Sequence, residues 1–247
     1  MTATAIGWIV PDWPVAEHVR VLSTLRAGGV SEGPYASLNL AAHVGDRPAA
    51  VTTNRLLLRE AAHLPGEPLW LEQVHGTGVL RHDGTACGGR ADASVAFVAD
   101  RVCAVMTADC LPVVFADRTG TRVGVAHAGW RGLVGGVLQA TIAALDIPAG
   151  DLHAWLGPAI GPEAFEVGPE VREAYLARVP GSEACFRRSD GGRHLADLYR
   201  LAVLVLEQAG VTGVHGGGWC THRESERFFS FRRDGVTGRM ATLAWLA

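Results

Sequence analysis

The sequence predicts a mixed-sheet α/β (α+β) sandwich, built as a single domain over residues 1–247. Short Val-rich apolar runs outnumber the helical patterns, and they do not alternate strictly with helices, which argues against a Rossmann fold or a barrel. The composition agrees: 48% hydrophobic and 19% charged residues with 31 Gly describe a packed chain with many tight turns. A chain of 247 residues can bury a substantial core, and no internal repeat or linker divides it.

In chain order, residues 4–10 and 19–25 read as short strands, followed by a turn-rich loop through Gly28-Gly29 and Ser31–Pro34 to His43 and Gly45. Asp46 with Pro48 starts a helix, which Val51, Leu56, Leu57, Leu58 and Ala62 carry to about His63. Pro68–Gly76 reads as a strand with Trp70 and other alternate side chains on one face, and His75 closes it beside a glycine. Val79–His82 and Asp92–Val98 are further strands, linked by the Gly-rich segment Gly84–Arg90.

The centre of the chain is VCAVMTADCLPVVFADRTGTRVGVAHAGWRG, residues 102–132. Its apolar runs end in Asp109-Cys110 and in His127, polar types that a purely structural strand avoids. Bounded by Thr119-Gly120 and Gly129, they read as buried strands joined by a hairpin-like turn. Gly129–Gly132 then breaks the strand, and Leu133, Val134, Val137, Leu138, Ile142 and Leu145 recur at helical spacing. A turn of this kind directs backbone N–H groups at a ligand.

Leu152–Leu156 is a strand entering Gly157–Pro162, a loop stiffened by two prolines and expected to line a site. Pro169–Val179 and Leu195–Ala209 are helices, the second with Leu198, Leu201, Ala202, Val205 and Ala209 on one face and Gly210 at its end. Val211–Val214 is a strand, and an apolar strand through Ala244-Trp245 ends the chain.

A formal charge of −3 and a pI near 6.4 give no basic footprint for nucleic acid and no polybasic membrane anchor. No apolar run reaches membrane-spanning length, and MTATAIGWIVPDW lacks a basic segment leading into a signal-peptide core, so a cytoplasmic location is expected. Five cysteines, Cys87, Cys103, Cys110, Cys185 and Cys220, show no disulfide framework and no CxxC pair. Cys103 lies inside an apolar run as a small hydrophobe, whereas Cys110 is presented at a strand end.

His75, Cys110 and His127 each end an expected strand, so they can meet at one rim of a sheet. Zinc takes such ligands, and a catalytic site uses three of them with a fourth position open. The spacing matches no closely spaced zinc motif, and a Cys–His nucleophile pair, with Asp109 or another acid orienting the imidazole, would use the same atoms. Arg47, Arg131, Arg232 and Arg233 are candidate anion binders, Arg131 being best placed because it lies in the turn after His127. Signatures of cytidine deaminases, P-loops and dinucleotide folds are missing from the sequence.

The segments GPYASLNLAAHVGD (33–46), WLEQVHG (70–76), TADCLPVVFAD (107–117), AHAGWRG (126–132), WLGPAIGP (155–162) and FFSFRRDGVTGRMA (228–241) resemble the YfiH/DUF152 family over nearly the whole chain. That family is also called the multicopper polyphenol oxidoreductase (laccase) family and is related to the purine-nucleoside enzyme FAMIN. The resemblance implies an α/β fold with a surface pocket in which His75, Cys110 and His127 bind zinc, copper being the other metal. It implies small-molecule partners, purine nucleosides and phosphate: phosphorolysis of adenosine, inosine and methylthioadenosine, and deamination of adenosine. Cys110, His127 and Asp109 are then the expected catalytic residues, with Asp109 an acid or a partner of His127. Asn39, Arg47, Gln73 and Arg131 are the expected substrate contacts. Thr221-His222 and Phe231 stand where the family pattern carries a tyrosine. Two other readings follow from the same resemblance, a copper-dependent polyphenol oxidase and a peptidoglycan editing factor acting on cell-wall precursors. Multicopper catalysis needs many clustered histidines, and most of the ten here lie outside any motif.

Overall fold

The computed structural model describes residues 5–84 and 88–247. Cys87 and the middle of the Gly84–Arg90 segment lie outside the described residues. The first strands are β1 (Trp8–Ile9) and β2 (Val19–Thr24), followed by helix α1 (Pro48–Ala61), β3 (Val79–Arg81) and β4 (Ala93–Ala96). The centre supplies β5 (Cys103–Thr107), β6 (Leu111–Asp117), β7 (Val123–Ala128), α2 (Trp130–Gly135) and α3 (Val137–Leu145). Then come β8 (Leu152–Leu156), β9 (Glu166–Val167), α4 (Pro169–Arg178), β10 (Phe186–Arg188) and β11 (His194–Ala196). The chain closes with α5 (Leu198–Gln208), β12 (Gly213–Gly216), α6 (Phe231–Asp234) and β13 (Met240–Leu246).

Two sheets face each other, with helices outside both, which is the expected mixed α/β sandwich. One is antiparallel, in the order β1-β2-β13-β5; the other is mixed, in the order β12-β8-β6-β7-β4-β3. A small third sheet runs β10-β11-β9. Alternation along each strand fixes the layers. On β6, Val114 and Ala116 join Val105 and Ala244 between the sheets, while Leu111, Val113 and Phe115 pack under Leu138 and Leu201 of the outer helices. On β13, Leu243 and Trp245 turn the other way, toward Leu58 of α1. Strands buried on both faces read as continuous apolar runs, which is why β5, β6 and β7 stand out in the sequence. Phe115 and Trp155 are almost fully buried in this core, where truncating an aromatic side chain costs roughly 3–5 kcal/mol.

Several boundaries differ from the sequence expectation. Of the expected strand 4–10, the described residues contribute only the two-residue β1. Pro68–Gly76 is not a strand: the segment touches its neighbours through isolated bridges at Leu69–Cys103 and Glu72–Arg90, and His75 turns left-handed at φ 59°. The hairpin joins β6 to β7, while β5 pairs with β13 in the other sheet. Asp109, at φ 97°, turns the chain from one sheet to the other, and alternating polarity carries no sign of that crossing. The helix after β7 begins at Trp130 and breaks at Gly136, whose φ of 104° suits glycine. Likewise α5 starts only at Leu198, because the Asp197 side chain accepts the Arg200 N–H as an N-cap and leaves 194–196 free to pair as β11. Among the described residues no helix is long and apolar enough to cross a membrane.

Candidate metal centre

The register of β6 and β7 builds the site. Leu111 pairs with Ala128 and Pro112 with His127, so Cys110 and Gly129 leave the sheet side by side. The 74–76 turn brings His75 over that edge. A Cβ on Gly129 would come within 2.9 Å of both Cys110 Sγ and the His75 ring, so the glycine is what lets the three groups close up. Cys110 Sγ lies 3.8 Å from His75 Nε2, and the two imidazole centroids are 4.8 Å apart in an edge-on arrangement. One donor atom from each of His75, Cys110 and His127 falls within a 4.8 Å group. Donors around a tetrahedral zinc at about 2.0–2.3 Å sit roughly 3.3–3.7 Å from one another, so small side-chain rotations suffice, and one thiolate with two imidazoles is a zinc-type set.

His127 is 3% exposed and directs Nδ1 to Asp92 Oδ1 at 2.8 Å, which leaves Nε2 for the cavity. Burial alone would raise the Cys110 thiol, but the adjacent His127 charge and hydrogen bonds from His127 and His75 outweigh it and bring it to about 6. Burial would likewise depress His127, yet the Cys110 thiolate and Asp92 raise it to about 9. Each group thus favours the charged form of the other.

These groups line a cavity of about 370 Å³ together with Gln73, Arg131, His43, Arg239 and Phe231. Among the described residues the exposed Arg131 guanidinium makes no ion pair or hydrogen bond and rests 4.5 Å from the Trp130 ring centroid. Gln73 reaches the cavity, but its amide is spent on the Met106 backbone, donating to O at 2.8 Å and accepting from N at 2.7 Å. Arg239 Nη1 donates to the Thr237 and Gly238 carbonyls at 2.9 Å each, which fixes its side chain at the cavity wall. Burial, then the Arg239 and Arg55 charges, hold His43 below its usual value.

Other expected residues stand elsewhere. The carboxylate partner of His127 is Asp92, not Asp109. Asp109 instead accepts the Thr221 hydroxyl at 2.6 Å and the Arg232 N–H at 2.7 Å, and its carbonyl accepts from Ile160 N. The Gly157–Pro162 loop, buried up to Gly161, is thus a brace behind Asp109 and does not line the cavity. Asn39 is fully buried and structural, bonding Ala41, Asp46 and the Arg239 N–H. Arg47 is exposed at the start of α1, 3.7 Å from Glu32 and away from the cavity. Arg233 ties together the Thr221, His222 and Phe228 carbonyls. Three groups escaped the sequence reading: Asp92, His43 and Arg239. Asp92 opens a Val-containing strand, the mirror image of the position that singled out His127, and the Ala93–Ala126 register sets the two side by side.

The family model described as multi-copper polyphenol oxidoreductase laccase matches residues 20–247. A purine nucleoside phosphorylase of Pseudomonas aeruginosa is 52% identical over 241 residues, covering 97% of this chain and 98% of the relative. The Escherichia coli purine nucleoside phosphorylase YfiH is 53% identical over 239 residues, with 96% and 98% covered. This chain belongs to the YfiH family. A Neisseria meningitidis DUF152 protein superposes with a TM-score of 0.93 at 51% identity, covering 97% of this chain and 98% of that one. YlmD from Geobacillus stearothermophilus gives 0.91 at 32% identity, covering 98% and 97%. The fold is thus shared with a solved structure at 32% identity.

Proposed function

We propose that this YfiH-family chain is a zinc-dependent purine nucleoside phosphorylase that also deaminates adenosine, acting in the cytosol, where its free cysteines stay reduced. The observation that carries the reading is one cavity in which His75, Cys110 and His127 converge beside the unpaired cation of Arg131. The activity named for the relatives supports it. When bound, zinc supplies a Lewis acid and lowers the pKa of water, the chemistry that attack on purine C6 requires.

The chain's own residues do the rest. In phosphorolysis of adenosine, inosine or methylthioadenosine, a phosphate oxygen bonds to ribose C1′ while the C1′–N9 bond breaks and its electron pair leaves with the base. Arg131 holds the phosphate, with Arg239 as the second cation on the cavity wall. His43, kept neutral, offers a hydrogen bond to the purine edge, and the Phe231 ring, 57% exposed at the mouth, offers the base a stacking face.

The test is product analysis on metal-free protein, then on protein reloaded with zinc or with copper, with and without phosphate. Ribose 1-phosphate from inosine only when both zinc and phosphate are supplied is the expected result. Activity with copper alone, and only towards phenols, overturns the reading in favour of a polyphenol oxidase.

A further inference from the structure

We propose that Asp92 is the positioning residue that sets both histidine donors at once, a role that rests on the metal-binding reading of His75, Cys110 and His127. Its carboxylate is fully buried, and each oxygen takes two hydrogen bonds from the site's own scaffold. Oδ1 accepts the His75 backbone N–H at 2.9 Å and faces His127 Nδ1 at 2.8 Å. Oδ2 accepts from Gly76 N at 2.6 Å and Val74 N at 3.2 Å. A single oxygen therefore pins the main chain of one donor and the ring of the other.

The consequences differ for the two histidines. At His127 the carboxylate keeps a proton on Nδ1, so Nε2 presents its lone pair to the cavity, and ligand basicity rises. The ring is held by that bond and by its burial, and the His127 backbone N–H donates in turn to the Asp92 carbonyl at 2.7 Å. At residues 74–76 three consecutive N–H groups wrap one carboxylate, which offsets the left-handed conformation of His75 at φ 59°. That turn has no sheet ladder of its own beyond the bridge at Glu72, so Asp92 is what holds His75 over Cys110.

Asp92→Asn is the informative variant: it keeps the side-chain shape but turns one acceptor oxygen into an NH2 group facing backbone donors. Zinc affinity by chelator competition is expected to fall roughly 10- to 100-fold. The thiolate charge-transfer and ligand-field bands of the cobalt-loaded protein are expected to shift as well. A residue that only stabilised the fold would lower the Tm and leave both readouts at wild-type values, and that result overturns the proposal. A second measurement needs no variant: ring nitrogen NMR of the zinc-loaded wild type is expected to show a protected proton on His127 Nδ1, and a proton-free Nδ1 overturns it. If wild type and Cys110→Ser bind zinc equally, the metal reading itself fails. The His127 ring signals of zinc-free wild type and Asp92→Asn then decide Asp92 separately: a difference between them supports the positioning role, and identical signals remove it.

Discussion

Thr221 donates its hydroxyl to Asp109 Oδ1 at 2.6 Å, joining the residue beside Cys110 to a segment 112 positions later in the chain. The second Asp109 oxygen accepts Arg232 N in the first turn of α6, the helix that carries Phe231 to the cavity mouth. Asp109 therefore couples the thiol's turn to the mouth of the pocket through hydrogen bonds. Thr221→Val deletes one buried partner of a carboxylate, which is expected to cost about 1–3 kcal/mol. Urea unfolding measures it; a wild-type midpoint and slope would show that the contact contributes nothing.

Gly129→Ala tests the closeness of the donors. The backbone there, φ −64° and ψ 158°, accepts alanine, so the effect comes from the added methyl at 2.9 Å from Cys110 Sγ and His75 Cδ2. The variant is expected to fold and to bind zinc at least tenfold more weakly, because the two donors must spread apart. Stoichiometric zinc at wild-type affinity, by elemental analysis and chelator competition, would show that the donors have slack to spare.

Much of this site is legible in the sequence because polar residues at the ends of apolar strands are conspicuous. His127 and Cys110 were found that way, and the β6–β7 register then makes them neighbours. His75 carries the same signal for a different reason, since its segment bonds to a buried carboxylate and not to a sheet. What stays hidden is whatever depends on pairing between distant segments. Asp92 reaches His127 through the β4–β7 ladder, Arg239 reaches the cavity because Asn39 holds its backbone N–H, and Asn39 and Arg47, within or next to the 33–46 motif, stand as scaffold and surface. The β5 pairing is hidden likewise, because a strand buried on both faces looks the same in either sheet.

Acid should loosen the hairpin that aims His127. Burial works to raise the Asp117 carboxyl, but hydrogen bonds from Thr119, the Arg122 N–H and Thr121 outweigh it and hold it below the usual carboxylate range. A depressed carboxyl contributes stability that is full above its unfolded value of about 3.9 and is lost as pH falls through the lower folded value. Asp117→Asn is expected to be less stable than wild type at pH 7 and to lose less on acidification below about pH 4. Parallel acid-unfolding curves for the two proteins would remove Asp117 from this role.

Two of the four arginines put forward as anion binders, Arg131 and Arg47, now separate. Arg131 lines the cavity beside the donor cluster with no ion pair among the described residues, so its charge is free for an anion. Arg47 is two-thirds exposed and shares its charge with Glu32 at 3.7 Å, outside the cavity. A charge-assisted hydrogen bond contributes about 1.5–3 kcal/mol, so Arg131→Ala is expected to raise the phosphate KM roughly 10- to 100-fold. Zinc content should not change, because the guanidinium is no ligand. Arg47→Ala is expected to keep the wild-type phosphate KM. Steady-state kinetics with inosine at varied phosphate decide between them: an effect of Arg47→Ala with none from Arg131→Ala would move the anion pocket to the α1 end of the molecule, and with it the reading of which cavity holds the nucleoside.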